Sequence, residues 1–250
     1  NFTLIGTTDI DHGKLADQVK ISEQEKLYIC ESASSYLKKE ITINDIVWSY
    51  SGLRPLYDDG ASKAQEATRD YVVSAKEYDY SLMINIFGGK ITTYRRLSET
   101  ILEHVENFLG KRGKPWTENS RLPGGEIKVA SLSEFEAKLK NKYSFFTNEL
   151  IRRLARSYGE ISFDIFGDAD SLDALGENFG GGLYEAELQY LINNEWARSS
   201  DDILFRRSKL GLILSETEIE NLNLFLKKNN TKSQSSENIV PSENIEVLKA

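Results

Sequence analysis

A single cysteine, Cys30, stands in 250 residues, which excludes an internal disulfide and any metal cluster held by thiolates. Histidine is almost as scarce. His12 and His104 are the only two, so metal sites and triads that need several imidazoles are poorly supplied. No apolar run approaches the roughly 20 residues that would span a bilayer. Basic charge is short as well: 31 lysines and arginines face 39 acidic residues, a net charge of −8. That balance argues against a nucleic-acid partner, which would meet a basic face. Two nucleotide signatures are missing. No G-x-G-x-x-G occurs, and Gly89-Lys90 is not a P-loop, because Ile84 holds the first glycine position and Ile91 the hydroxyl position. Asp168, Asp170 and Asp173 have the wrong spacing for a calcium loop, whose twelfth position would be Phe179.

What is present is an ordinary globular composition, 40% hydrophobic and 28% charged. The expectation is a reduced, acidic, soluble protein of the cell interior. No cleaved secretory signal is expected. The chain opens on Asn1 and runs straight into Phe2-Thr3-Leu4-Ile5-Gly6, so it is expected to be a piece of something longer.

Alternation predicts a strand over 1–9, followed by a polar loop around Asp11-His12-Gly13. Ser22 with Glu25 predicts a capped helix start, and β-branched and aromatic residues predict a strand over 41–50. Asp58-Asp59-Gly60 is a predicted turn and 61–68 a short helix. Strands are predicted at 71–74 and 82–87, separated by Glu77-Tyr78-Asp79. After Gly88-Gly89-Lys90 a helical stripe of Leu97, Ile101, Val105, Phe108 and Leu109 ends at Gly110. The Gly/Pro-rich stretch 110–126 is a plausible domain boundary. Beyond it the pattern is helical. Ser131 with Glu134 predicts a second capping box, and Leu150, Leu154 and Tyr158 one helix face closed by Gly159. Helices are predicted over 183–197 and from Asp201 to Gly211, and a last one opens at Ser215 with Glu218 and runs to about Lys228. Residues 229–250 are polar and are predicted to form a mobile tail.

The chemistry concentrates in 48–96. A strand, two glycines and a helix start form a natural anion site: glycine admits close approach, and the helix head presents free N–H groups. Lys90 would add a cation, and Arg54 and Arg69 could clamp a phosphate or carboxylate in bidentate fashion. Two other readings stay open. Gly88-Gly89 can be simply a tight turn, and the arginines can pair with Asp58, Asp59 or Asp70.

These segments carry a resemblance. Ile5-Gly6-Thr7-Thr8-Asp9, Ser51-Gly52-Leu53-Arg54-Pro55-Leu56-Tyr57-Asp58-Asp59, Ala67-Thr68-Arg69-Asp70-Tyr71 and Phe87-Gly88-Gly89-Lys90-Ile91-Thr92-Thr93-Tyr94-Arg95 are similar to segments of the aerobic, FAD-dependent glycerol-3-phosphate dehydrogenase family, in its order. So are Trp116-Thr117, Leu122-Pro123-Gly124-Gly125, Gly182-Leu183-Tyr184-Glu185-Ala186-Glu187 and Glu195-Trp196-Ala197. Asp202-Ile203-Leu204-Phe205-Arg206-Arg207-Ser208-Lys209-Leu210-Gly211 resembles the signature of that family's C-terminal helical domain.

The resemblance covers 1 to about 228 and implies an α+β chain. Residues 1–128 would be trailing strands and helices of a DAO-like FAD- and substrate-binding domain, and 129–228 an all-α C-terminal domain. It implies substrate contacts from Arg54, Arg69 and Lys90, with Arg54 and Lys90 nearest the chemistry. A flavin cradle is implied at Gly88, Gly89, Lys90, Thr92 and Thr93. The implied cofactor is FAD and the implied substrate glycerol 3-phosphate. The reaction is hydride transfer from the secondary alcohol to the flavin, giving dihydroxyacetone phosphate, with electrons passed to membrane quinone. The chain's own N-terminal half, with the Rossmann glycines and the base, would lie upstream, so the chain alone is expected to be inactive. The resemblance allows a homodimer and a contact with a membrane surface, in the cytoplasm or on the cytoplasmic face of the inner membrane. Arg206, Arg207 and Lys209 read as helix-end and interface charges, pairing with Glu195. The competing readings are a related amine or amino-acid oxidase and a non-catalytic helical interaction module.

Overall fold

Capping decides where the first helix starts. Ser22 is extended, its hydroxyl accepts the Glu25 N–H at 3.2 Å, and the Glu25 carboxylate accepts the Ser22 N–H at 2.8 Å. This reciprocal pair satisfies donors that a helix start leaves without partners, and helix α1 follows over Glu23–Ser34. The computed structural model describes residues 2–10, 19–53, 57 and 70–237, the last eight by backbone alone. The predicted loop at 11–13, turn at 58–60 and helix at 61–68 lie outside the described residues, as do Arg54 and Arg69. The chain divides into two compact units, residues 1–120 and 121–250.

In the first unit the sheet is a single antiparallel hairpin, β1 (Tyr71–Tyr78) with β2 (Ser81–Gly88), turning at Asp79-Tyr80. Both strands are longer than the pattern predicted, because every residue from Tyr71 to Tyr78 finds a ladder partner. The predicted strands over 1–9 and 41–50 are not strands. Residues 2–10 pair with no strand among the described residues, and an extended segment becomes a strand only through a neighbour that takes its N–H and C=O groups. In 41–50 a local bond wins: the Asp45 carboxylate accepts the N–H and hydroxyl of Thr42, each at 2.9 Å, folding Ile43–Asp45 into a 3₁₀ turn. Another 3₁₀ turn, Ile91–Thr93, leads into α2 (Tyr94–Leu109), which Gly110 ends at φ +87. Among the described residues of this unit only Cys30 is buried.

The second unit is helical: α3 (Leu132–Lys142), α4 (Asn148–Tyr158), α5 (Ile161–Phe166), α6 (Glu185–Asn194) and α7 (Glu216–Glu237). The Thr147 hydroxyl caps α4 by accepting the Leu150 N–H at 3.2 Å. Leu150, Ile151, Leu154, Ala155 and Tyr158 then turn one face of α4 into the core. Tyr143 is fully buried against Phe146 and Phe166, with centroids 5.2 and 5.9 Å away, and donates to the Gly167 carbonyl at 2.8 Å. Each such apolar side chain contributes about 1.5–3 kcal/mol by leaving water.

Four expectations need correction here, the first being the last helix, which runs on to Glu237, past its predicted end near Lys228 and into the predicted tail. Glu134 does not complete a capping box on Ser131, because its carboxylate accepts from Ala130 N–H at 3.1 Å instead. The helix predicted over 183–197 is confined to Glu185–Asn194, and Trp196 takes φ +55 just beyond it. The helix predicted from Asp201 to Gly211 is a π-helical turn, Asp202–Arg207, where Ser208 N–H reaches back five residues to Ile203 O. Lys209 then enters the left-handed region at φ +62, and the Phe205 ring packs so closely on Gly211 that a side chain there would have to displace it.

Charge is also buried in this unit. Glu187 is fully buried and takes both terminal nitrogens of Arg153, at 2.6 and 2.7 Å, and the Tyr158 hydroxyl at 2.7 Å. Burial disfavours the guanidinium, but the bonds and charge of Glu187 outweigh it and raise the Arg153 pKa. Burial, then the Glu187 charge, pushes the Tyr158 hydroxyl far up, so it serves only as a donor.

Candidate functional site

The predicted cradle residues are consecutive, and the hairpin and α2 present them. Gly88 closes β2 opposite Tyr71, and the chain turns through φ +67 at Gly88 and +91 at Gly89. A side chain at Gly89 would be strained and crowded: its Cβ would stand 3.1 Å from the Tyr71 Cβ, on a backbone that L-residues rarely adopt. Lys90 is extended and exposed, and Ile91 beside it is 87% exposed. Thr93 shapes the turn. Its hydroxyl donates to Lys90 O at 2.8 Å and accepts Lys90 N–H at 3.4 Å, while Thr93 N–H donates to the same carbonyl at 3.0 Å. The N–H groups of Ile91 and Thr92 are at the head of this turn, where a helix leaves donors without intrahelical acceptors.

Gly88, Gly89, Lys90, Thr92 and Thr93 thus form one outward-facing turn with a cation and backbone donors. Such a turn can receive a negatively charged or carbonyl group. Tyr57 leans on Phe87 nearby, with ring centroids 5.7 Å apart. Arg54 and Arg69 belong to the expected constellation but lie outside the described residues, as does His12. His104 is half-buried on α2.

Sequence reasoning overlooked two neighbours of the turn. The Tyr71 hydroxyl meets Thr100 Oγ1 at 3.2 Å, tying β1 to α2. Arg95 bonds Glu99 Oε2 at 3.1 Å and Thr117 Oγ1 at 3.3 Å, and Thr117 bonds Glu99, so the segment beyond Gly110 returns to the first turns of α2. The available signal was that Tyr71, Arg95 and Thr117 all stand inside quoted motifs.

Other expectations have local explanations. In the segment Leu122-Pro123-Gly124-Gly125, Gly124 at φ +81 meets the Tyr158 carbonyl so closely that a Cβ is impossible, and Gly124 O accepts Glu160 N–H at 3.0 Å. Arg207 donates twice to Glu195 O, at 2.7 and 3.1 Å, and Arg206 pairs with Asp202 at 3.0 Å, closing the π-helical turn. Asp168 pairs with Lys142 at 2.7 Å. Among the described residues no cluster of three or more histidine, cysteine or acidic side chains could hold a metal, and no helix is long and apolar enough to cross a membrane. The first unit also has a broad cleft of about 1800 Å³ lined by parts of 2–10 and 19–53.

Residues 115–224 match the C-terminal domain of alpha-glycerophosphate oxidase. The chain is 42% identical over 215 residues to aerobic glycerol-3-phosphate dehydrogenase of Escherichia coli, covering 86% of this chain and 43% of that protein. It is 39% identical to D-erythritol 1-phosphate dehydrogenase of Brucella abortus over 86% of the chain and 43% of the relative. With glycerol-3-phosphate dehydrogenase of Pseudomonas aeruginosa it shares 38% over 90% of the chain and 44% of the relative. The chain therefore spans less than half the length of these relatives.

Proposed function

We propose, from a chain that belongs to the glycerol-3-phosphate dehydrogenase family and matches the C-terminal half of its members, that it is part of a flavoenzyme oxidising a polyol phosphate. The first candidate substrate is glycerol 3-phosphate and the product dihydroxyacetone phosphate. The observation that carries this reading is the Gly88–Thr93 turn with Lys90 exposed on it. Its donor set suits FAD: two glycines whose backbone a planar ring can approach, unpaired helix-head amides and one exposed cation. When bound, the flavin supplies the acceptor for the hydride that leaves the secondary carbinol carbon.

On this reading the residues divide the work. Gly88 and Gly89 keep the floor of the site free of side chains. Lys90, with the backbone donors at Ile91 and Thr92 that the Thr93 side chain holds in place, would stabilise negative charge on the bound ring, a preorganised electrostatic contribution. Arg54 and Arg69 hold the phosphate dianion in bidentate fashion, and Arg54 and Lys90 orient the hydroxyl being oxidised. The base that takes the hydroxyl proton comes from the N-terminal half, since neither histidine of this chain stands in these motifs. Electrons pass on to quinone, which implies a place in the cytoplasm or on the cytoplasmic face of a membrane.

Residues 1–128 are then the trailing part of the flavin and substrate domain, and the lack of any buried side chain but Cys30 among the described residues of 2–120 supports this. The chain by itself should be colourless and inert towards a redox dye. Joined to its N-terminal half it should be yellow and reduce the dye with glycerol 3-phosphate, and Lys90→Ala or Arg54→Ala should abolish this. Activity in the isolated chain overturns the first expectation. Unchanged activity in both variants returns the chain to a helical interaction module.

The 39% identity to D-erythritol 1-phosphate dehydrogenase favours a second substrate, a tetritol phosphate. Flavin bleaching by erythritol 1-phosphate ahead of glycerol 3-phosphate decides for it, and bleaching only by amines or amino acids rejects both.

A further inference from the structure

Tyr71 touches both elements that build the Gly88–Thr93 turn. It stands opposite Gly88 in the hairpin, and its Cβ leaves only 3.1 Å to a Cβ built on Gly89. At its far end the hydroxyl meets Thr100 in the second turn of α2 at 3.2 Å, in a half-buried bond. One side chain therefore runs from the backbone of the turn to the helix that the turn begins.

Among the described residues of this chain, few other side chains tie down the head of that helix. None of the 16 residues of α2 is buried, and Tyr94 in its first turn is 46% exposed. The tie on the other side is the Arg95–Glu99–Thr117 cluster. A helix held by a half-covered apolar stripe and two polar ties can rotate about its axis when one tie is lost. Rotation at the head moves Lys90 and the Ile91 and Thr92 amides relative to Gly88 and Gly89. Tyr71 also follows Arg69 by two residues, so it joins β1, just after the phosphate-clamp candidate, to the helix head.

We infer that Tyr71, acting through Thr100, is a positioning residue of the anion site, setting the rotation of α2 and with it the placing of Lys90 and the helix-head donors. The inference rests on the reading of that turn as the flavin and polyol-phosphate site.

The test uses the protein with its N-terminal half and flavin. Tyr71→Phe and Thr100→Val each remove the bond and keep the shape. Each should lower kcat/KM for glycerol 3-phosphate about threefold to tenfold, the range one hydrogen bond covers. The double variant should be no worse than either single one, because both remove the same interaction. The flavin reduction potential, read without substrate, should fall in both variants as the cation and donors leave register. A lowered Tm with unchanged kcat/KM and potential, or additive effects in the double variant, overturns the inference. Lys90→Ala separates the two levels. If it leaves kcat/KM and potential unchanged, the reading of the site fails. If it abolishes turnover or shifts the potential while the Tyr71 and Thr100 variants leave kcat/KM and potential unchanged, only the positioning role fails.

Discussion

Helix α4 buries Leu150, Ile151, Leu154, Ala155 and Tyr158, whereas the longer α2 buries none of its side chains. Both helices carry an apolar stripe at helical spacing, so the sequence pattern does not separate them. What differs is the neighbour. The stripe of α4 belongs to a closed cluster that gathers Phe135, Leu139, Tyr143, Leu188, Leu191 and Leu222 from the other helices. That of α2 meets a two-stranded hairpin, with Leu97, Ile101, Val105 and Phe108 only partly covered and Leu109 exposed. A stripe states that a partner is needed and does not say whether the chain contains it.

The comparison breaks most readily in hydrogen exchange on the 250-residue chain. Amides of α4 and α6 should be protected at least about a hundredfold more than those of α2 and β1, since protection follows buried apolar contact. Adding the N-terminal half should raise protection in α2 and β2 and leave α4 and α6 alone. Equal protection in the two units would show that the first needs no outside neighbour.

Ion pairs sharpen the same contrast. Glu187→Ala strands the Arg153 guanidinium, four-fifths buried, without its partner and should cost about 3–5 kcal/mol in the unfolding of the helical unit. Glu99→Ala removes a pair about 30% exposed on α2 and should cost about 0.5 kcal/mol or less. Both are read by denaturant unfolding. A small loss for Glu187→Ala would mean that water reaches the pair.

Features set by a few consecutive residues were legible in the sequence. Ser22 with Glu25, Ser215 with Glu218, and Gly110 and Gly159 mark helix ends because capping bonds and positive φ are local matters. Strand pairing is not local. Residues 2–10 and 41–50 have the composition of strands, but the ladder partner that would make them strands is not among the described residues. The site shows the same division. Gly88 to Thr93 is readable as a turn with donors, whereas the bond from Tyr71 to Thr100 joins residues 29 apart. Glu187 carried a signal that was missed: it stands three after Tyr184 and four before Leu191 on the core face of α6. An acidic residue there needs a buried partner, which α4 supplies in Arg153.

Acid titration separates the units by the smallest effect. Asp202 is held down to about 2, first by the Arg198 N–H at 3.0 Å and, against burial, by the hydroxyl and N–H of Ser199 and the charge of Arg206. A carboxyl whose folded pKa lies below its unfolded value of about 3.9 stabilises the fold above that value, and the stabilisation is lost as pH falls through about 2. Solvent at this surface cap reduces its worth to about 1 kcal/mol or less. The Tm of the helical unit should therefore fall between about pH 4 and pH 2, and Asp202→Asn should flatten that part of the curve while lowering Tm at neutral pH. Glu25 is the same device in the first unit, its pKa lowered by the Ser22 N–H and then by the Thr8 and Ser22 hydroxyls. Without a closed core around it, protonating Glu25 should release α1 locally and leave that Tm unmoved. A change in Tm on Glu25→Gln as large as that on Asp202→Asn would show one cooperative fold in place of two unlike ones.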